Sequence, residues 1–181
     1  MYNYFIVSSK TWFERNALSE TFNLLMKISR IKNPEVFAQT LNIRGLGLIQ
    51  FKDIKIDFSE KNLKIINENI DELKYCEKII PLNEFLRKKM TLDDLSKEIN
   101  PHLSIIKEKD KWKIEIKKRQ TSFKDKELIS SIASLMKNGS VDLTNPDWII
   151  HINIVRNWIG FGIIKPQFVL KLAENRQKMS K

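Results

Sequence analysis

The apolar residues of the first 82 positions change period in a fixed order, and that order leaves few folds open. Residues 4–8 (YFIVS) are a short β-favouring apolar run, the mark of a buried strand. In residues 10–28, Phe13, Ala17, Leu18, Leu25 and Ile28 recur at helical spacing, which predicts an amphipathic helix closed by Asn33-Pro34. Residues 35–52 return to period two. Val36, Ala38 and Thr40 alternate with Phe37, Gln39 and Leu41, and a bend at Arg44-Gly45 divides two strands. Residues 59–73 are helical again, with Ser59 placed to cap the start and Leu63, Ile66, Ile70 and Leu73 on one face. Residues 76–82 (CEKIIPL) give a last strand.

The order β-α-β-β-α-β is that of a ferredoxin-like unit, which sets a first domain over residues 1–82. No low-complexity linker follows, so a second domain over 83–181 is expected to pack against it. That half reads as an α+β mixture too. Residues 91–103 predict a helix with a capping-box start at Thr91 and Asp94. Residues 111–119 (KWKIEIKKR) alternate Trp112, Ile114 and Ile116 with Lys113, Glu115 and Lys117, a half-exposed strand. Residues 125–139 predict a helix with Leu128, Ile132 and Leu135 inward and Gly139 as its C-cap. Strands at 147–155 and 158–164 and a terminal helix at 166–178, opening on Pro166, complete the chain.

The charge is lopsided. The chain of 181 residues carries a formal net charge of +10. Residues 1–82 hold 12 Lys+Arg against 10 Asp+Glu, and residues 83–181 hold 20 against 12. A polyanion such as nucleic acid would therefore meet mainly the second half. The lone cysteine, Cys76, excludes a disulfide within the chain and suits a reducing compartment. The N-terminus lacks a signal-peptide pattern and no apolar run reaches the ~18 residues of a membrane span. A cytoplasmic protein with no membrane partner is expected.

Residues for acid–base, metal or nucleophilic chemistry are sparse. His102 and His151 stand alone, and His151, flanked by Ile150 and Ile152, reads as a half-buried sheet residue. Cys76 has no recognisable base and reads as a structural thiol. Gly45-Leu46-Gly47 lies in a hairpin and has no third glycine for a dinucleotide loop. Gly160-Phe161-Gly162, inside a strand pattern, reads as a bulge or a close backbone approach. Asp93-Asp94 is better placed to favour a helix start than to share a proton. No catalytic residue, metal site or cofactor is expected. What remains is the basic stretch 117–126. Lys117, Lys118 and Arg119 end a strand, Gln120, Thr121 and Ser122 can donate hydrogen bonds, and Lys124 and Lys126 follow. Phe123 could stack a base or fill the core, and the whole stretch could equally be a solvated loop.

Residues 112–164 resemble a THUMP domain. The resemblance rests on the strand ending in Lys117-Lys118-Arg119, the helix after it, and a turn made of Val141, Asp142, Leu143, Asn145, Pro146 and Asp147 before an apolar strand pair. Val141 and Leu143 are expected to anchor that turn in the core. Asp142, Asn145 and Asp147 are expected to cap backbone N–H groups, and Pro146 to fix the chain direction, beside the basic strand end. A ferredoxin-like unit before such a domain looks like the tRNA acetylation adaptor family. The resemblance implies a non-catalytic tRNA-binding protein that grips the 3′ acceptor end and serves a separate modification enzyme. That enzyme would be an RNA acetyltransferase forming N4-acetylcytidine. Lys117, Lys118, Arg119, Thr121, Lys124 and Lys126, with Arg156 and Lys165, are the expected RNA contacts. Two other readings compete: an RNA-modifying enzyme with a site around Asp142, Asp147 and His151, and a basic protein-interaction module.

Overall fold

The computed structural model describes residues 1–31 and 33–173. The chain divides into two compact units, one of residues 1–82 joined by the segment from Gln167, the other Asn83–Pro166. Residues 83–181 were expected as one domain. The segment from Gln167 leaves it because Leu170 and Lys171 pair with Ile79 and Lys78 of the first unit.

The first unit runs β1 (Tyr4–Ser9), α1 (Glu14–Ser29), β2 (Val36–Thr40), β3 (Leu46–Phe51), α2 (Glu60–Glu68) and β4 (Cys76–Leu82). Its antiparallel sheet has β4 and β3 on either side of β1, with β2 outside β3, so the expected ferredoxin-like order is present. Helix α1 buries Ala17, Leu18, Thr21, Leu24, Leu25 and Ile28, one stripe at helical spacing. Each such fully buried leucine or isoleucine contributes about 2 kcal/mol. The helix ends at Arg30, which is left-handed at φ 56°, before Asn33-Pro34 is reached. Ser59 occupies the position before α2 in extended conformation but gives no side-chain cap bond.

Polar clamps fix the connections. The Glu20 carboxylate accepts from the backbone N–H groups of Lys74, Tyr75 and Cys76, which locks the entry to β4. Cys76 is buried and its sulfur accepts from the Thr21 hydroxyl at 3.4 Å. Gly45 turns the β2–β3 hairpin at φ 71°, where a Cβ would lie 2.7 Å from the Ser9 carbonyl oxygen.

The second unit runs β5 (Glu84–Leu86), α3 (Leu92–Ile99), a 3₁₀ segment (Asn100–Ile105), β6 (Lys111–Arg119), α4 (Asp125–Ala133), β7 (Ser140–Val141), β8 (Trp148–Val155) and β9 (Trp158–Ile164). The sheet order is β5-β9-β8-β6-β7. Strand β6 is parallel to β7 and β8, whereas β9 is antiparallel to β8 and β5. The capping box at Thr91 and Asp94 is complete in both directions. Residues Leu95, Ile99, Leu128 and Ile132 of the two helices join Ile150, Ile152, Ile154 and Phe161 of the sheet in one core.

Several expectations need correction here. Helix α4 stops at Ala133, and Gly139 is not its cap. Its φ is 77°, and a Cβ there would lie 2.6 Å from the Asp110 carbonyl oxygen, so glycine lets the link into β7 pass close to Asp110. Pairing runs through Gly160 and Gly162 without a register shift, so no bulge forms. The terminal helix is replaced over 166–171 by a 3₁₀ turn, Pro166–Phe168, and a two-residue strand β10, Leu170–Lys171. Its remainder at 174–178 lies outside the described residues.

Candidate nucleic-acid interface

The register of the second sheet decides which loops meet. In the parallel pair, Trp112 lies beside Trp148 and Arg119 beside Val155, so β6 and β8 end together. Strand β9 starts at that same edge, since Val155 pairs with Trp158, and β5 finishes there, since Leu86 pairs with Ile159. Three segments therefore gather at the carboxyl edge of the parallel strands: 87–90, 120–124 and 156–157. Outside the carboxyl ends of parallel strands is where open α/β sheets leave a crevice for ligands.

A cavity of about 680 Å³ opens at this edge, lined by Lys89, Met90, Gln120, Thr121, Ser122, Phe123 and Asn157. Two of its loops hold non-glycine residues in the left-handed region, Gln120 at φ 53° and Arg156 at φ 57°. They hold each other. The Arg156 N–H donates to the Arg119 carbonyl, and Arg156 Nε donates to Gln120 Oε1, both at 2.8 Å. Backbone strain of this kind persists only where surrounding bonds fix it. Phe123 is half-buried, packs against the core cluster and also forms part of the cavity wall. Lys124 occupies the position before α4 in extended conformation and gives no side-chain cap.

The cations around the cavity differ in how committed they are. Lys118 is tied down: its Nζ donates to the Phe123 carbonyl at 2.6 Å and pairs with Asp125 at 2.8 Å, so it braces the link. Lys124 pairs with Glu127 at 3.1 Å, and Lys88 with Glu98 at 3.2 Å. The Arg119 guanidinium is half-buried, and burial lowers its pKa. Arg87 sits over the Trp158 ring at 5.7 Å. Lys117 and Lys126 are exposed.

Residues 90–163 match the family described as the THUMP domain. This part of the chain is a THUMP domain. Solved structures share the fold over most of the chain. PH1313 from Pyrococcus horikoshii Ot3 aligns at 17% identity and TM-score 0.56, over 90% of this chain and 54% of that one. TrmN from Thermus thermophilus aligns at 13% and 0.53, over 91% and 47%. A 4-thiouridine synthetase in complex with RNA and ATP aligns at 15% and 0.50, over 91% and 41%. At these identities the likeness is one of fold, and the chain spans about half or less of the length of these structures. No curated protein sequence matches the chain.

The THUMP domain does not bring all the expected residues together. The turn at 141–147 lies at the amino edge of β6 and β8, not beside the basic strand end. The nine residues of β6 put eight steps between the two edges, about 26 Å at ~3.3 Å per step. Lys165 follows β9 at that amino edge, with its ammonium 5.6 Å from the Trp148 ring, so it does not join Arg119 and Arg156. Val141 and Leu143 are 60% and 72% exposed and do not anchor the turn. Polar bonds hold it instead. Asp142 Oδ1 accepts from the N–H groups of Thr144 and Asn145, and its Oδ2 from Lys111 Nζ. The Asn145 N–H first, then Lys111 and the Thr144 N–H, lower the Asp142 pKa to about 2. Asp147 Oδ2 accepts from the Lys111 N–H at 2.8 Å, and the Asp147 N–H returns a bond to the Lys111 carbonyl. Asn145 takes part through its backbone.

Sequence reasoning missed Lys89, Met90 and Asn157 as site residues of the THUMP domain. The run Arg87-Lys88-Lys89, just before the Thr91 capping box, was the available signal. His151 is fully buried, with Nδ1 3.7 Å from Glu115 Oε2. Asp142, Asp147 and His151 do not converge on one site: both aspartates serve the amino-edge turn.

Proposed function

We propose that the chain is a non-catalytic adaptor that binds tRNA by its 3′ acceptor end at the carboxyl edge of the THUMP domain and presents it to a separate modification enzyme. The cavity carries this reading. Its lining combines an ammonium (Lys89), two hydroxyls (Thr121 and Ser122), two carboxamides (Gln120 and Asn157) and an aromatic residue (Phe123). A phosphate, a ribose 2′-hydroxyl and an unstacked base need that mixture, which a single-stranded RNA end offers and a duplex hides. Lys117, Lys124, Lys126 and Arg156 surround it with further charge for phosphates. A structure of the same fold is an RNA complex. The choice of a cytidine N4-acetyltransferase as the enzyme served rests on the resemblance to the tRNA acetylation adaptor family.

Titration at two salt concentrations tests the grip, with intact tRNA and the same tRNA lacking its single-stranded 3′ end. Binding that is salt-sensitive and falls when the 3′ end is removed is expected. Equal affinity for the two RNAs would remove the acceptor end from the proposal. Nucleoside mass spectrometry of tRNA from cells deprived of this protein tests the enzyme served. N4-acetylcytidine should disappear, and its persistence would discard the acetyltransferase.

A further inference from the structure

The first unit carries an exposed aromatic group that its own packing does not explain. Trp12, in the β1–α1 loop, is 77% exposed and lies in the left-handed region at φ 75°. A bulky residue is rarely found there, so something must hold it. The Glu14 carboxylate does so. One of its oxygens accepts from the Trp12 N–H at 3.4 Å and from the Gly45 N–H at 2.5 Å. That staples the β1–α1 loop to the β2–β3 hairpin, and the Gly45 N–H in particular keeps the Glu14 carboxyl below its ordinary pKa. The next residue, Phe13, stacks on Tyr75 with ring centroids 4.7 Å apart, which fixes the loop from its other side. The hairpin also contributes Arg44, whose guanidinium lies 5.3 Å from the Trp12 ring centroid. One face of the indole thus meets a cation and much of the ring remains in solvent.

We propose that Trp12 and Arg44 form a stacking platform for an unpaired RNA base, with Arg44 and the neighbouring Lys10 taking the adjoining phosphate. A tryptophan that docks a protein sits inside an apolar, water-excluding ring of contacts. Trp12 is flanked in sequence by Lys10, Thr11 and Arg15, all exposed, and in space by Arg44. A ligand with a flat π-face joined to an anion matches that set, and a nucleotide is such a ligand. Glu14, the first residue of α1 and the one acid among residues 10–15, is already engaged by backbone donors. The inference rests on the RNA-binding reading and adds a contact on the first unit, separate from the cavity of the THUMP domain.

The test compares the full chain with its W12A, W12F and R44Q variants against intact tRNA and a fully paired RNA duplex, with circular dichroism to check folding. W12A should weaken tRNA binding about 5- to 150-fold, the span of one lost base–aromatic stack, with the salt slope unchanged because no counterion-releasing contact is removed. W12F keeps a ring and should bind within about threefold of the parent. R44Q should lower both affinity and salt slope, and duplex binding should ignore W12A. Undiminished tRNA binding by W12A would overturn the platform and leave the cavity reading standing. Failure of the parent chain to bind any RNA would overturn both. Loss of a protein partner by W12A with RNA binding intact would also overturn it, assigning Trp12 to a protein surface.

Discussion

The two edges of the second sheet are built on opposite principles. At the amino edge, every polar group of the 141–147 turn that fixes its shape is satisfied inside the protein, through Asp142, Asp147 and Lys111. At the carboxyl edge, three loops from distant parts of the chain present Lys89, Gln120, Thr121, Ser122 and Asn157 to an open cavity. The first edge carries the residues by which the domain is read in sequence, and the second carries the groups that can meet a ligand. A sequence signature therefore marks where the chain must turn in one way, which need not be where it binds.

The comparison predicts that changes at the two edges separate binding from stability. The largest effect is expected for joint replacement of Lys89, Lys117 and Lys126 by glutamine. Affinity for tRNA should fall on the order of a hundredfold at low salt, and the slope of log affinity against log salt should shrink by about three. Stability should change little. A triple variant that binds with the parent's affinity and slope would mean that the carboxyl edge is not the interface. Asp147→Ala is the complementary probe. It leaves the Lys111 N–H without its carboxylate acceptor at the start of β6, for a cost of about 1 kcal/mol. Urea unfolding should show a lower midpoint, with tRNA affinity retained. Lost binding in a folded Asp147→Ala protein would break the division between the edges.

How much of this was legible in the sequence follows from how local each feature is. Strand β6 was readable to its ends because Trp112, Ile114 and Ile116 alternate with charged neighbours along its length. The order of the first unit was readable for the same reason. Strands β5 and β7, three and two residues long, are too short to show a period. Val141 and Leu143 misled because apolar residues next to a turn look like anchors, whereas the turn is held by carboxylates and both side chains face water. Lys89 and Asn157 could not be placed beside Thr121, because only the pairing of β5 with β9 and of β9 with β8 brings them together. Lys165 failed for the converse reason: it is near the strands in sequence but follows the one that runs the other way.

The smallest predicted effect is acid-dependent and again ranks two positions. Glu115 points toward buried His151 and pairs with Lys113 at 2.8 Å. His151 first, and Lys113 after it, lower its pKa from 4.5 to about 2, against the opposing effect of burial. A carboxylate whose folded pKa is depressed stabilises the protein above its unfolded value, and that stability is lost as pH falls toward the folded value. The window is therefore pH 4.5 down to about 2. At 3.7 Å the contact with His151 is too long for a strong hydrogen bond, and Glu115 remains partly solvated. The stability at stake is then on the order of 1 kcal/mol, well short of what the full shift would convert to. Asp142, also held near 2, titrates in the same direction over an overlapping range, but its partners are the N–H groups of exposed turn residues and the exposed Lys111, so its share should be smaller. Urea midpoints at pH 5.5 and pH 2.5 compare the parent with Glu115→Gln and Asp142→Asn. Glu115→Gln should remove the larger part of the acid-induced drop attributable to these two groups. If Asp142→Asn removes more, the exposed turn and not the buried His151 contact carries the acid sensitivity, and the amino edge would matter more to stability than the strand pair behind it.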